Sequence, residues 1–235
     1  MTKYRMIADA IQQFIEEKQL KTNDQLPIMT DLMAHFDVSK STIIKAFEVL
    51  EIKGIIYQRR GSGSFVRAPK RPYYINLAHQ SGTGKDLQNF SLSQRVIGVT
   101  MIQATKEIAE NLLLDEGDSV FRVKRVTSIQ GLKAVYETSY YNASAVPYLD
   151  EDIAQQSIFA YIKSEYQLEH AFSDSYFVLE ESSELIAELL ELNTGDLVMK
   201  YEEIFYSNDG VAFDYSISYY HPKAVRFYSG GVPKS

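Results

Sequence analysis

An α+β fold in two parts is predicted, and three features of the sequence predict it. Residues 25–67 pass from helical periodicity into a glycine-tipped hairpin. From about Phe90 onward the chain carries an internal repeat of helix, Gly-Asp turn and hairpin. Between them, residues 69–90 are marked by Pro69, Pro72 and the run His79-Gln80-Ser81-Gly82-Thr83-Gly84-Lys85. The expected organisation is a small helical domain over 1–68, a linker over 69–90 and an antiparallel-sheet domain over 91–235.

Tyr4, Ile7, Ile11, Phe14 and Ile15 recur at helical spacing and predict an amphipathic first helix, with Lys21 to Asp24 as the loop after it. The stretch from Gln25 to Arg67 reads as two short helices, a tight turn, a third helix and a two-stranded hairpin. Leu32, Ala34 and Phe36 supply an apolar side to the first of these helices, and Asp37-Val38 makes the turn. Ser39 stands where an N-cap belongs, its hydroxyl placed to accept an orphan backbone N–H. Ile43, Ala46, Phe47 and Leu50 then form one buried stripe. Lys40, Ser41, Ile44, Lys45 and Glu48 occupy the opposite face, and Gly54 ends the helix. Ile55 to Arg60 and Ser64 to Arg67 read as strands around Gly61-Ser62-Gly63, a turn that needs positive φ.

Together these elements spell a winged helix-turn-helix. Its third helix is built to enter a DNA major groove, and Arg59, Arg60 and Arg67 put positive charge on the wing, where phosphates lie. A small helical domain contacting another protein is the plainer reading, and the basic wing with its glycine tip argues against it. Charge agrees: the whole chain carries −7, but residues 1–75 hold 12 Lys and Arg against 8 Asp and Glu, while 76–235 hold 12 against 23.

In the second part, IAENLLLDEGDSVFRVKRV from Ile108 matches IAELLELNTGDLVMKYEEI from Ile186, each helix opened by a capping hydroxyl, Thr105 or Ser183. Tyr136, Ser139, Tyr140 and Tyr141 likewise match Tyr215, Ser218, Tyr219 and Tyr220. Two such units predict a pseudo-symmetric domain with paired hairpins in one sheet. A short helix from Ser157 to about Tyr166 lies between them. A strand around Phe172–Leu179 follows, with Phe172, Asp174, Tyr176 and Val178 on one side. Arg125 shares strand parity with Phe121 and Val123, so it faces the apolar side and needs an anionic partner there: a ligand, or Glu203, its counterpart in the repeat. Ser157 is either a plain N-cap or the edge of an anion site at a helix N-terminus.

Other chemistry is excluded. Cysteine is absent, which removes disulfides and thiolate catalysis, and no apolar run is long enough to cross a membrane. The four histidines, His35, His79, His170 and His221, lack metal-ligand spacing. No nucleophile elbow is present, and the Gly82–Lys85 run fails as a phosphate-binding loop because Asp86 follows the lysine. Neither cofactor nor metal is expected, and without a signal peptide the location expected is the cytoplasm.

The first part resembles the DNA-binding domain of GntR-type bacterial transcription regulators. Leu26-Pro27 precedes the motif, and Val38-Ser39-Lys40-Ser41-Thr42-Ile43-Ile44 stands where the family opens its recognition helix. Ile28-Met29 replace the usual Ser-Glu, Thr30 an arginine often found there, and Lys40 and Ile44 two further arginines. The resemblance implies DNA-binding positions at Thr30, Ser39, Lys40, Ser41, Ile44, Lys45, Arg59, Arg60 and Gly61. Residues 90–230 resemble the UTRA effector-binding domain of the HutC-like branch, a fold similar to chorismate lyase, ending in Tyr219-Tyr220-His221-Pro222 and Arg226-Phe227. In relatives responsive to amino-sugar phosphates, a strand arginine and a helix-start serine hold the phosphate, and acids and a tyrosine hold the sugar. Those positions look like Arg125, Ser157, Glu137, Asp214 and Tyr220, with Thr127 at a second phosphate arginine and Phe159 at a pocket tyrosine. The resemblance implies a homodimer on double-stranded operator DNA, a repressor released by a small metabolite, with a phosphorylated sugar favoured. Two other readings stay open: a lyase-like enzyme with a DNA-binding appendage, and a DNA-binding dimer without an effector.

Overall fold

The computed structural model describes residues 2–68, 74–76 and 92–228. By their contacts these fall into two units. The first runs from the N-terminus through β3 (Ile75–Asn76) and takes back β10 (Phe227–Tyr228); the second holds everything between.

In the first unit, α1 (Lys3–Glu17), α2 (Met29–Phe36) and α3 (Lys40–Ile52) enclose one core with the hairpin of β1 (Ile56–Arg59) and β2 (Gly63–Val66). Only two of its helices therefore lie in the 25–67 stretch, where three were expected. Helix α1 buries Ile7, Ile11 and Ile15, and α3 buries the expected Ile43, Ala46, Phe47 and Leu50. Each fully buried Ile, Leu or Phe contributes about 1.5–3 kcal/mol, so this stripe fixes which face of α3 remains outside. Helix α2 corrects the sequence reading. Met29, Leu32, Met33 and Phe36 pack on the core at three- and four-residue spacing, and Ala34 is exposed. The expected two-residue spacing is that of a strand.

The turn between α2 and α3 is set by Asp37, whose left-handed backbone (φ 50°) lets its N–H donate to Met33 O. Ser39 Oγ accepts the Thr42 N–H at 3.4 Å and caps α3. The strands are one residue tighter than expected, with Ile56 opposite Val66 and Arg59 opposite Gly63. Gln25 secures the hairpin tip: its Nε2 donates to Ser62 O at 2.8 Å. Of the expected linker only 74–76 are described, where β3 pairs in parallel with β10. The Gly82–Lys85 run lies outside the described residues.

The second unit is a six-stranded antiparallel sheet in the order β4-β5-β6-β9-β8-β7. The strands are β4 (Leu92–Gln103), β5 (Ser119–Ile129), β6 (Leu132–Asn142), β7 (His170–Glu181), β8 (Leu197–Ser207) and β9 (Ala212–Tyr220). The predicted repeat is present and longer than expected, because each copy is a strand, a helix and a hairpin. Strand β4 was missed in the sequence. Helices α4 (Lys106–Leu112) and α7 (Glu184–Leu190) are capped by Thr105 and Ser183 and closed by left-handed Leu113 and Glu191. Both lie on one face, α4 over Val120, Ile204 and Tyr215, α7 over Val126, Tyr136 and Val198. The other face carries α5 (Glu151–Ala154) and α6 (Ile158–Tyr166), packed on Phe121, Val123, Tyr141 and Phe205.

Gly63 sits at φ +108°, and a Cβ there would lie 2.9 Å from Gln25 Nε2. Gly61, at φ +74°, has open space around it. Gly63→Ala is therefore expected to destabilise the hairpin by about 1–2 kcal/mol, read as ~5- to 30-fold faster amide exchange across β1 and β2. Gly61→Ala is expected to cost less. Equal effects of the two would show that the Gln25 contact contributes nothing.

Candidate DNA interface and effector site

In the first unit, burial of the Ile43–Leu50 stripe turns Lys40, Ser41, Ile44 and Lys45 out to solvent together. Thr30 is exposed in the first turn of α2. Ser39 is committed to its cap and lies 2.9 Å from Ser41 Oγ and 3.0 Å from Thr42 Oγ1. On the hairpin, Arg59 is held over the Phe65 ring at 5.2 Å, and Phe65 stacks in turn on Tyr57 at 5.5 Å. A cation over an aromatic face keeps its charge and loses rotamer freedom. Arg60 and Gly61 are exposed at the tip. The result is a short polar and basic helix face plus an arginine-bearing hairpin.

In the second unit, the α6-bearing face of the sheet has a polar floor. Strand register sets one row across it, Arg125, Glu137, Ser218 and Tyr201, and a second, Ser139, Ser216, Glu203 and Ser175. Tyr141 and Asp214 pair in the row beside these. Arg125 makes an ion pair with Glu137 through Nη2 and a hydrogen bond to the same carboxylate through Nε at 3.1 Å. Glu203, the partner the repeat had suggested for Arg125, is bonded elsewhere: it accepts from Ser173 (2.9 Å) and Ser175 (3.3 Å). Glu137 is the partner because it sits directly opposite Arg125 on the neighbouring strand.

The hydroxyls of this floor lead to carboxylates, directly or through a second hydroxyl. Ser139 donates to Glu137 (3.2 Å), Ser216 donates to Asp214 Oδ1 (2.7 Å), and Tyr201 donates to Ser175 (2.9 Å). Asp214 is 1 % exposed, and its Oδ2 is buried without a hydrogen-bond partner. Burial pushes Asp214 well above the usual carboxyl range, against its Ser216 bond. Burial likewise pushes Glu203 up to about 7, against the Ser173 and Ser175 hydroxyls. Burial works against the charge of Arg125, but Glu137, Tyr141 and Asp214 together outweigh it and hold the guanidinium charged.

Arg125, Glu137, Asp214 and Tyr220 are thus brought onto one floor. Asp214 is buried and Glu137 half-buried, so neither is a hairpin-edge residue in solvent. Thr127 lies further along β5, its Oγ1 accepting from Gln94 Nε2 at 3.4 Å. Ser157 is exposed and caps α6, accepting the Ala160 N–H at 3.3 Å. Phe159 is edge-on to Phe205 (4.8 Å), Phe213 and His170, in the aromatic packing under α6. Sequence reasoning named Glu203 only as a partner for Arg125, and missed Ser139, Ser173, Ser175, Tyr201 and Ser216 as members of the floor. The signal was present: Glu203 shares the repeat position of Arg125, and serines recur at alternate positions in β7.

Glu203 has a pH consequence. Unfolded, its carboxyl ionises near 4.5; folded, near 7. Between those values the folded state holds the extra proton, so the stability from this group falls as pH rises and is fully lost above about 7. Glu203→Gln removes the penalty. Its melting temperature relative to wild type is expected to improve between about pH 5 and about pH 8 by on the order of 2 kcal/mol, several degrees for a chain this size. A pH-independent difference would place the Glu203 ionisation at its ordinary value.

Comparison with known proteins follows the two units. Residues 3–66 match the model of bacterial regulatory proteins of the gntR family, and residues 87–226 match the UTRA domain. The uncharacterized HTH-type transcriptional regulator YydK of Bacillus subtilis is 45% identical over 220 residues, covering 93% of each chain. The crystal structure of YydK superposes with a TM-score of 0.84 at 41% identity, covering 99% of this chain and 100% of that one. The mannosyl-D-glycerate transport/metabolism system repressor MngR of Escherichia coli is 23% identical over 224 residues, 95% of this chain and 93% of its own. These relatives are transcriptional regulators, so the lyase-like enzyme reading falls. The chain belongs to the GntR family, as a transcriptional regulator of the HutC-like branch with a winged helix-turn-helix and a UTRA effector-binding domain.

Proposed function

We propose that this regulator is a cytoplasmic homodimeric repressor that leaves its operator when a phosphorylated sugar occupies the floor around Arg125. The observation that carries the effector reading is Asp214: a buried carboxyl with one oxygen lacking a hydrogen-bond partner, on the same floor as the half-buried Arg125 and within its electrostatic reach. A sugar hydroxyl both donates and accepts, so it pairs with that oxygen whether the carboxyl is ionised or protonated. A guanidinium has five donors in a planar fork, and Glu137 engages its Nε and Nη2, so a phosphate competes for the same cation and its remaining N–H groups. Helix α6, opened by Ser157, packs on this face and offers further anion-binding N–H groups. That MngR is named a repressor of a mannosyl-D-glycerate system supports both the sign of control and a sugar-derived anionic ligand.

On the DNA side, Lys40, Ser41, Ile44 and Lys45 read or position, Thr30 and Ser39 flank them, and Arg59, Arg60 and Gly61 clamp the backbone. Lys40 gives a point charge where an arginine gives a bidentate fork, and Ile44 suits a thymine methyl. Two-fold symmetry sets an inverted-repeat operator with half-sites about one helical turn apart, ~34 Å, or a multiple of it. The effector acts by differential affinity, favouring a dimer geometry in which the two winged domains no longer match both half-sites.

Arg60→Ala is expected to weaken operator binding and flatten its salt dependence by about one phosphate contact per subunit. An unchanged slope removes Arg60 from the interface. A sugar phosphate present at about 100-fold over its Kd is expected to stabilise the protein by about 2.7 kcal/mol in a thermal-shift screen. Arg125→Ala lowers the baseline, because Glu137 loses its partner, and is expected to abolish the ligand-dependent shift. If only uncharged sugars or carboxylic acids shift the wild type, the phosphate reading fails.

A further inference from the structure

One hydrogen-bonded path crosses the polar floor, and its protons can be counted. Asp214 Oδ1 lies 2.7 Å from Ser216 Oγ, Ser216 Oγ 2.8 Å from Ser139 Oγ, and Ser139 Oγ 3.2 Å from Glu137 Oε1. The path ends on Arg125, whose Nε and Nη2 both meet that same Oε1. Three contacts between oxygens need three protons, and the two serines bring one each. If both carboxyls are ionised, one contact sets oxygen against oxygen with no proton between them. Ser139 and Asp214 are each 1 % exposed, so water does not make up the loss. A third proton closes the path. Glu137 does not carry it, because two N–H groups of Arg125 hold its Oε1 as a carboxylate. Asp214 is the other end, and its Oδ2 has no hydrogen-bond partner among the described residues. The groups facing Asp214 agree. Burial acts first to keep it protonated, and the carboxyls of Glu137 on β6 and Glu203 on β8 add to that, against Ser216 and Arg125. Tyr141, opposite it on β6, is held un-ionised by burial. His170 on β7 meets Phe205, the cross-strand neighbour of Asp214, edge-on at 5.9 Å. Helix α6 brings Ile158, Ile162 and Phe159 to this face.

We propose that Asp214 works as an un-ionised acid, and that the effector group seated on its Oδ2 is an uncharged hydrogen-bond donor, a hydroxyl or an amide N–H, and not an ammonium. This rests on the reading of the floor as the effector site and names what that site selects. With the third proton on Oδ1, the bond to Ser216 reverses. Asp214 then donates to Ser216, Ser216 to Ser139 and Ser139 to Glu137, so every proton serves one contact. Oδ2 is left as a carbonyl oxygen, which only accepts. A hydroxyl or an amide N–H satisfies it without moving a proton. An ammonium gains little from a neutral acid and comes within reach of the Arg125 charge. To hold an ammonium, Asp214 must release its proton, and the path to Glu137 is again one proton short. The number of acids on this floor is therefore no sign of a cationic ligand at Asp214.

The proton is tested first without a ligand, by carboxyl-carbon NMR of the full-length protein made with isotope-labelled aspartate. The Asp214 signal, identified by its loss in Asp214→Asn, is expected to keep its protonated position while the exposed aspartates titrate. Ser139→Ala frees the Ser216 proton for Asp214, so in that variant the signal is expected to reach its ionised position at a lower pH than in wild type. An Asp214 that titrates with the exposed aspartates overturns the proposal, and so does one that Ser139→Ala leaves unmoved. Selectivity is then measured at about pH 6, below the Glu203 value of about 7, so that this second acid is mostly neutral. The probes are glucose, mannose and galactose 6-phosphates and, for whichever binds, derivatives in which one ring hydroxyl at a time is replaced by an amine. Replacing the hydroxyl that meets Oδ2 is expected to raise the dissociation constant about tenfold or more. An amine that binds more tightly than the hydroxyl it replaces, or a set in which none is weakened, overturns the selectivity. If no probe binds wild type in a way that Arg125→Ala removes, the effector reading falls and the subsite with it, while the titration still decides the charge of Asp214.

Discussion

The register of β6 against β9 decides where the chemistry of the second unit goes. These two strands join the repeats, and their pairing sets Glu137 beside Ser218, Ser139 beside Ser216 and Tyr141 beside Asp214. Side chains on a strand alternate between faces, so a slip of one residue would send these groups to the face covered by α4 and α7. There they would meet Val120, Val126 and Ile204 and lose the serine hydroxyls that bond them on the floor. The apolar residues on both faces hold the register: Val135 and Tyr141 on one, Tyr136 and Tyr140 on the other, with Tyr136 stacked on Tyr219 and Tyr140 on Tyr215. The polar floor is therefore a consequence of hydrophobic pairing around it.

That floor carries more acid than base. Glu137, Glu203 and Asp214 face it against the single guanidinium of Arg125, and only Glu137 is paired with it. Burying charge without compensation is costly, and the serine hydroxyls bring only partial relief, because each supplies one proton. The remaining imbalance appears as carboxyls that hold their protons to higher pH. A floor finished for stability alone would be apolar or fully bonded. This one keeps an unpaired polar atom at Asp214 Oδ2, and a buried polar atom of that kind discriminates among incoming groups, because one that can neither donate nor accept leaves the carboxyl unpaired.

Much of this was legible in the sequence, and the boundary of legibility has physical causes. The α3 stripe was readable because 3.6-residue periodicity and a Ser39 cap are local signals. The repeat was readable because two helices with the same caps and turns serve the same role on one sheet. Helix α2 was misread at Ala34, since eight residues give too few turns to separate a helical stripe from alternation. Strand β4 was missed because it is an edge strand, exposed along most of its length, without the alternation that marks a half-buried strand. Arg125 was placed on the correct face by parity alone. Its partner was not readable, because Glu137 and Glu203 are both acids of one floor, and only cross-strand register separates them.

Chain connectivity ties the floor to the DNA-binding unit in a second way besides the segment 69–90. Strand β9 carries Asp214 and Tyr220 and ends at His221, whose N–H donates to Ala134 O on β6. A short turn follows, in which the Ala224 N–H returns to His221 O and Val225 is buried. Directly after it the chain enters β10, which pairs with β3 on the segment leading out of the winged domain. The strand holding the candidate effector residues thus runs, within seven residues of Tyr220, into the strand bonded to that segment. The backbone runs covalently from Asp214 and Tyr220 to β10, and β10 is hydrogen-bonded to β3. The polar floor at Tyr220 and the strand bonded to the segment after the winged domain are consequently two ends of one short stretch of backbone.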